Sequence, residues 1–311
     1  MNHNKITCAV VQTGSILFDL NATIDLFIEK LNEARQQGVQ LAVFPEAFIG
    51  GYPKGHDFGA RVGSRTRQGR DVFARYFDSA LDLSSPEFTR ISKAVKNAGI
   101  YVVVGVIERD AGTLYCTLLY FNRNGQLTGK HRKVMPTAME RLIWGFGDGS
   151  TLQVQEWDIG KTGGLICWEN YMPLARTYYY AQGVQFYCAP TVDDRTVWTP
   201  LMQTIAVEGR CFVLSAVQHM RRRNAPSDYE CADGNEPETV LINGGSCIVS
   251  PFGELLAGPV FGEDCLLVAE LETNELARGK YDLDTVGHYS RPDIFRLNVD
   301  IAEKKPVETK C

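Results

Sequence analysis

The run VQLAVFPE, residues 39–46, constrains the fold more than any other stretch of this chain. Its centre is apolar with no alternation, so a strand built from it must be covered on both faces, as in layered α/β proteins. Pro45 removes a backbone donor and ends the strand, and the next residue is a carboxylate, Glu46. Similar runs recur as ITCAVVQT, IYVVVGVIER, GGLICW, VQFYCAP, CFVLSAVQ and CLLVAEL. Helical patterns separate them. In NATIDLFIEKLNEARQQG, Ile24, Phe27, Leu31 and Ala34 recur at helical spacing, with Asn21 expected as cap and Gly38 as stop. Pro173 is expected to open a second helix, another runs to Gly209, and a short one lies in ETNELARGKYD. TLLYFNRNGQLTGKHRK reads as a hairpin turning at Asn124 and Gly125, and GGSCIVSPFGELLAGP reads as a second. Helices alternating with strands and hairpins predict a layered α/β fold with mixed sheets.

At 311 residues and 44% hydrophobic, the chain is long enough for a generous core. It carries no linker or short-period repeat, so one domain is expected over residues 1–298, with a short tail at 299–311. A net charge of −5 leaves no basic field to attract nucleic acid or an anionic membrane. The one basic run, residues 221–223, is expected in a solvated loop, and residues 219–240, which lack a hydrophobic period, in a surface loop or insertion. Nine cysteines scattered through apolar runs read as reduced thiols. With no signal-like amino terminus and no bilayer-length apolar stretch, a soluble cytoplasmic protein is expected.

Cys167 ends a strand just before the helix opened by Pro173, at the rim where α/β proteins bind ligands. A nearby helix terminus or cation there would favour the thiolate of a nucleophile; the alternative is a buried small hydrophobe. Glu46 also ends a buried strand, where burial raises a carboxyl pKa and suits it to general-base work. GKHRKVMPT sets four basic residues at 130–133, and Lys133 leads into apolar Val134, Met135 and Pro136, which a solvated charge run does not explain. Glu140, in MERLIWGFGDGS, is a second acidic candidate or a surface helix-start glutamate. The histidines, His3, His56, His131, His219 and His288, show no metal-ligand spacing, and no C-x-x-C occurs, so no metal site is expected. His288 is a Cys–His candidate or a packing residue. GFGDGS lacks the Walker lysine and the G-x-G-x-x-G pattern.

The strings VFPEAFIGGYP, GKHRKVMPTAMERLIWGFGDGST, ICWENYMPLAR, YCAPT, IAVEGRCFVLSA, GGSCIVSP and DTVGHYSRPDI resemble, in order, the nitrilase branch of the carbon-nitrogen hydrolase superfamily. The resemblance implies a four-layer αββα sandwich with two mixed β-sheets, associating as a homo-oligomer from dimer building blocks, up to spirals or filaments. It implies Glu46 as general base, Lys133 as stabiliser of the tetrahedral intermediate, Cys167 as nucleophile and Glu140 as a fourth catalytic residue. Trp168, directly after the cysteine, resembles nitrilases more than amidases or carbamoylases. The implied reaction is hydrolysis of a small-molecule nitrile to acid and ammonia through a thioimidate and a thioester, with no cofactor. Amidase, carbamoylase and cyanide-hydrolysing activities share the residue set, and a non-catalytic assembly subunit is the alternative outside enzymes. An apolar, aromatic pocket walled by Trp168, Tyr52 and Trp198 is expected. Departures at residues 193–198 and 219–240 and in the short tail bear on substrate size and filament formation. On this reading Cys167→Ala abolishes turnover with the fold intact, and Lys133→Ala loses rate without losing the fold.

Overall fold

The structure is a computed structural model that describes residues 5–305 and 307. His3 and most of the end of the tail lie outside the described residues. One sheet has the order β15-β1-β2-β5-β6-β7: β1 (Lys5–Gln12), β2 (Leu41–Val43), β5 (Tyr101–Asp110), β6 (Thr113–Phe121), β7 (Leu127–Arg132) and β15 (Cys265–Glu272). The contacts of β2 with β1 and β5 are parallel, and the outer pairings are antiparallel.

The second sheet has the order β12-β13-β11-β10-β9-β8, with β14 also paired to β13. Its strands are β8 (Gln155–Trp157), β9 (Gly160–Gly164), β10 (Phe186–Cys188), β11 (Phe212–Ser215), β12 (His219–Arg221), β13 (Val240–Val249) and β14 (Leu255–Phe261). The small hairpin of β3 (Ala60–Arg61) and β4 (Ser64–Arg65) stands apart.

Three apolar layers give the order of the sandwich. Val10, Val43, Val103 and Leu118 of the first sheet meet Phe186, Cys188, Phe212 and Ile248 of the second. The outer face of the first sheet packs on α1 (Leu20–Gln36) and α3 (Pro86–Ala98). The outer face of the second packs on α4 (Pro173–Ala181) and α5 (Trp198–Gly209). The fold is the four-layer αββα sandwich with two mixed sheets. Strands covered by a helix layer on one side and a sheet on the other explain the unbroken apolar runs. Two further helices, α2 (Arg67–Asp78) and α6 (Asn274–Gly279), complete the set, and no helix among the described residues is long and apolar enough to cross a membrane.

The core face of α1 is the one its periodicity predicts, with Ile24, Phe27, Leu31 and Ala34 buried. Its cap is not Asn21 but Asp19, whose side chain accepts from the Ala22 N–H at 2.9 Å. The chain enters the helix two residues earlier than the apolar pattern indicates, through Phe18 at φ +64°.

Residues 219–240 also depart from expectation. The segment opens in a strand, Arg222 is only 5% exposed, and Tyr229 and Cys231 are buried. The Arg222 guanidinium donates to the carbonyls of Ala225, Ser227 and Tyr229. One buried guanidinium thus supplies the donors that water supplies to an open loop. The middle of the basic run is a clamp, and the Tyr229 hydroxyl fastens the loop to the Lys54 carbonyl at 2.7 Å.

Candidate active site

Four chain reversals bring the predicted chemical groups together at one end of the inter-sheet core. Glu46 follows β2 by three residues, and its neighbour Ala47 has φ +49°. Lys133 directly follows β7, and its N–H is fixed on the Cys116 carbonyl at 2.8 Å. Cys167 opens a 3-10 turn, Cys167–Tyr171, at φ +51°, with its N–H on the Pro190 carbonyl at 2.9 Å. Glu140 lies in the turn Ala138–Leu142, whose first residue has φ +45°. A left-handed non-glycine residue costs roughly 1–3 kcal/mol and is retained where the surroundings over-determine it. Three such residues stand at, or close in sequence to, the chemical side chains, which points to selection for position.

Glu46 and Lys133 are fully buried, Cys167 is 3% exposed and Glu140 is 8% exposed. The Lys133 ammonium lies between the carboxylates, donating to Glu46 Oε1 at 2.6 Å and Glu140 Oε2 at 2.8 Å. Glu140 is held further by the Tyr52 hydroxyl at 2.9 Å and the Thr137 N–H at 2.6 Å. The surface reading of Glu140 is therefore excluded. Glu46 Oε1 also faces the Cys116 thiol at 3.6 Å, while Glu46 Oε2 has no hydrogen-bond partner among the described residues. The Cys167 sulfur accepts from the Thr191 hydroxyl at 3.0 Å.

Burial raises the Glu46 pKa, Lys133 opposes that shift and Glu140 reinforces it. Burial also pushes the Cys167 thiol well up, with Glu46 adding to the shift and Lys133 opposing it. For Lys133 burial favours the neutral amine, but the Glu46 and Glu140 carboxylates beside it outweigh that and hold the ammonium protonated. The resting cysteine is thus a neutral thiol beside a carboxylate with a free oxygen. This corrects the expectation of a thiolate stabilised by a helix end or a cation: in a buried site with two carboxylates, one ammonium does not reverse the desolvation.

A cavity of about 240 Å³ reaches Cys167 and is lined also by Tyr52, Thr137, Glu140, Trp168, Val192 and residues 193–195. A second, of about 340 Å³, shares Tyr52, Lys54 and Glu140 with it and continues past His56 and Trp144. Tyr52 and Trp168 line the cavity that reaches Cys167. Trp198 does not: it is 1% exposed in the outer layer of the second sheet, with its indole N–H on Ser215 Oγ at 2.8 Å. As the first residue of α5 it turns toward the sheet that the helix covers. The rim is also more polar than expected, because the Trp168 indole N–H donates to Asp193 at 2.8 Å and Arg195 lies 4.8 Å above its ring. His288 is exposed and outside this cavity, which excludes the Cys–His pairing. A larger cavity, about 1060 Å³ near Arg123 and Arg210, contains none of these residues. Among the described residues no group of three or more His, Cys, Asp or Glu side chains is placed to hold a metal ion.

The contacts of Thr191 and Glu169 have no signature in the sequence. Thr191 sits in the string YCAPT, where only the fold reveals that its hydroxyl meets a sulfur 24 residues away.

The carbon-nitrogen hydrolase family matches residues 7–281. The chain belongs to this family. It is 53% identical over 306 residues to a nitrilase of Bradyrhizobium diazoefficiens, covering 98% of this chain and 95% of the relative. To an aliphatic nitrilase of Sinorhizobium fredii it is 50% identical, with 99% of both chains covered. These relatives place this carbon-nitrogen hydrolase in the nitrilase branch. A solved amidase from Nesterenkonia sp. shares the fold, with a TM-score of 0.67, 21% identity and coverage of 88% of this chain and 92% of that one.

Proposed function

We propose that this carbon-nitrogen hydrolase converts an organic nitrile to the carboxylic acid and ammonia, with Cys167 as nucleophile. The observation that carries this reading is the burial of Cys167 in one site with Glu46, whose Oε1 is held by Lys133 at 2.6 Å and whose Oε2 is left unpaired among the described residues. A carboxylate so held can take a proton at one oxygen while the other keeps its hydrogen bond from Lys133.

The thiol proton passes to Glu46 as the sulfur attacks the nitrile carbon; the proton returned to nitrogen gives a thioimidate. Glu46 then draws a proton from water, which adds to the same carbon, and ammonia leaves a thioester. A second water releases the acid and restores the thiol. The Lys133 ammonium has three N–H bonds, and the carboxylates occupy two; the third is available to the substrate nitrogen or the oxyanion, with the Trp168 backbone N–H as a second donor. Losing one such donor typically costs roughly 100- to 1000-fold in rate. Glu140 fixes the ammonium from its far side. Expulsion of sulfur rather than ammonia would release the amide.

Names of relatives support nitriles as the substrate class. Free thiols at the eight described cysteines support a reducing, cytoplasmic setting. We also propose a homo-oligomer built from dimers. In its support, Tyr281, Tyr289 and Phe295 near the carboxyl end are 90%, 67% and 78% exposed, a set of large apolar side chains that a partner copy would cover.

The test is simultaneous measurement of ammonia, acid and amide from aliphatic, aromatic and arylaceto nitriles, from their amides, from N-carbamoyl compounds and from cyanide. Acid and ammonia from nitriles are expected. Turnover of amides, carbamoyl compounds or cyanide alone refutes the nitrile reading, and turnover of nothing leaves the assembly-subunit reading.

A further inference from the structure

The carboxyl group of Glu169 is 1% exposed, and His131 beside it is fully buried. Glu169 Oε1 accepts from the Val134 N–H at 2.6 Å. Its Oε2 accepts from the Ile166 N–H at 2.8 Å and lies 2.9 Å from His131 Nε2. Facing a carboxylate, that ring nitrogen carries the proton, and His131 Nδ1 is then the acceptor toward Thr151 Oγ1 at 3.4 Å.

The chain positions of these donors matter more than their number. Val134 follows Lys133, His131 precedes it by two residues, and Ile166 immediately precedes Cys167. Lys133 leaves β7 in the first sheet and Cys167 leaves β9 in the second. No backbone ladder ties these two strand ends, since β7 and β9 belong to different sheets. Glu169 is the side chain that hydrogen-bonds to both segments.

We propose that Glu169 is a positioning residue for the reaction: its carboxylate locks the Cys167 turn to the Lys133 segment, so that sulfur and ammonium converge on one substrate atom. It touches no reacting group and acts through the two backbones. Displacing a catalytic group by about 1 Å can lower the rate roughly 100-fold. A buried carboxylate that accepts three hydrogen bonds across two oxygens is suited to this task, because an amide cannot replace it. A glutamine offers one acceptor oxygen, and its NH₂ would face an N–H donor at the other position.

The inference rests on the reading of Cys167 as nucleophile, and two readouts separate their failures. Glu169→Gln is compared with wild type in kcat and KM on the best nitrile, and in the rate at which iodoacetamide alkylates Cys167, located by peptide mass spectrometry. A cooperative melt confirms that the variant is folded. The expected result is kcat per folded molecule down by about 100-fold with KM changed far less, and slower alkylation of Cys167. Glu169→Asp, which keeps the carboxylate on a shorter arm, is expected to restore part of the loss. A merely structural role would lower the melting temperature and yield while leaving kcat per folded molecule and the alkylation rate unmoved, and that result overturns the proposal. If Glu169→Gln does not fold, His131→Gln and Glu169→Asp are read by the same criteria, and wild-type kcat and alkylation in both overturn it equally. If wild type turns over no nitrile, the alkylation rate alone decides: slower alkylation sustains Glu169 while the nitrilase reading fails.

Discussion

Lys133→Met tests whether the ammonium holds the site together as well as serving the reaction. Methionine nearly preserves the volume and removes the charge from between Glu46 and Glu140, at 2.6 and 2.8 Å. Breaking a buried ion pair on one side costs about 3–5 kcal/mol, because it leaves uncompensated charge in the interior. At 311 residues the unfolding entropy is about 0.65 kcal/mol/K, so the melting temperature should fall by about 5–8 °C near neutral pH. The sign of the pH dependence follows from Glu46, whose pKa is already raised by burial and held down in part by Lys133. Without the lysine it rises further above its unfolded value. A carboxyl with a raised folded pKa is destabilising when ionised and is relieved by protonation as pH falls through that pKa. The gap between variant and wild type should therefore narrow from about pH 8 to about pH 5.5 in paired thermal melts. Equal melting temperatures near neutral pH, or a gap that widens on acidification, would refute the reasoning. The expectation from sequence, that Lys133→Ala loses rate without losing the fold, stands beside this: the fold is expected to survive, at a lower melting temperature, because a fully buried ammonium holds two carboxylates.

Cys167→Ala should abolish turnover, measured as ammonia release, with a melting temperature close to wild type, because it removes one atom whose hydrogen bond is from Thr191. The rate profile in kcat/KM should fall on the acid side with an apparent pKa above the usual carboxylate range, as Glu46 protonates. The raised Lys133 pKa predicts no loss of the ammonium at moderately alkaline pH, and an alkaline limb below the ordinary lysine range would contradict it. Arg222→Ala should leave the carbonyls of Ala225, Ser227 and Tyr229 without their donor, destabilising the loop by about 1–3 kcal/mol. Faster chymotryptic cleavage after Tyr229 is the readout, and an unchanged cleavage rate would show that the clamp is dispensable.

What could be read from the sequence was what depends on local periodicity or on chemistry out of place. Ile24, Phe27, Leu31 and Ala34 declare a helix face through spacing alone. Lys133 stood out because a cation led into apolar residues, and Glu46 because it ended a buried strand. Trp198 was misplaced because an aromatic residue near variable segments says nothing about direction; α5 turns it onto the second sheet. Arg222 was hidden in a polar run because its partners are loop carbonyls, which have no sequence signature. Glu169 and Thr191 were unassigned for the related reason that their contacts cross 35 and 24 residues. The motifs brought both residues into view, and only the packed strand ends show what they hold.

The charge of the site explains why Cys167 can rest as a thiol. Two carboxylates and one ammonium leave a net charge of −1, and a free thiolate would make it −2 in a buried volume. In the proposed mechanism, transfer of the Cys167 proton to Glu46 creates the thiolate without changing that total, so the proton would stay within the cluster until the substrate accepts it. Glu46→Gln separates the two effects of the carboxylate. It removes a like charge that raises the Cys167 pKa, so the midpoint for alkylation of Cys167 should move to lower pH. It also removes the proton acceptor, so kcat should fall by roughly 100- to 10,000-fold. A thiol that becomes easier to ionise while turnover collapses would identify Glu46 as the base rather than as an electrostatic neighbour. An alkylation midpoint that stays put or moves upward would show that the carboxylate does not act on the sulfur, and the internal proton transfer would have to be abandoned.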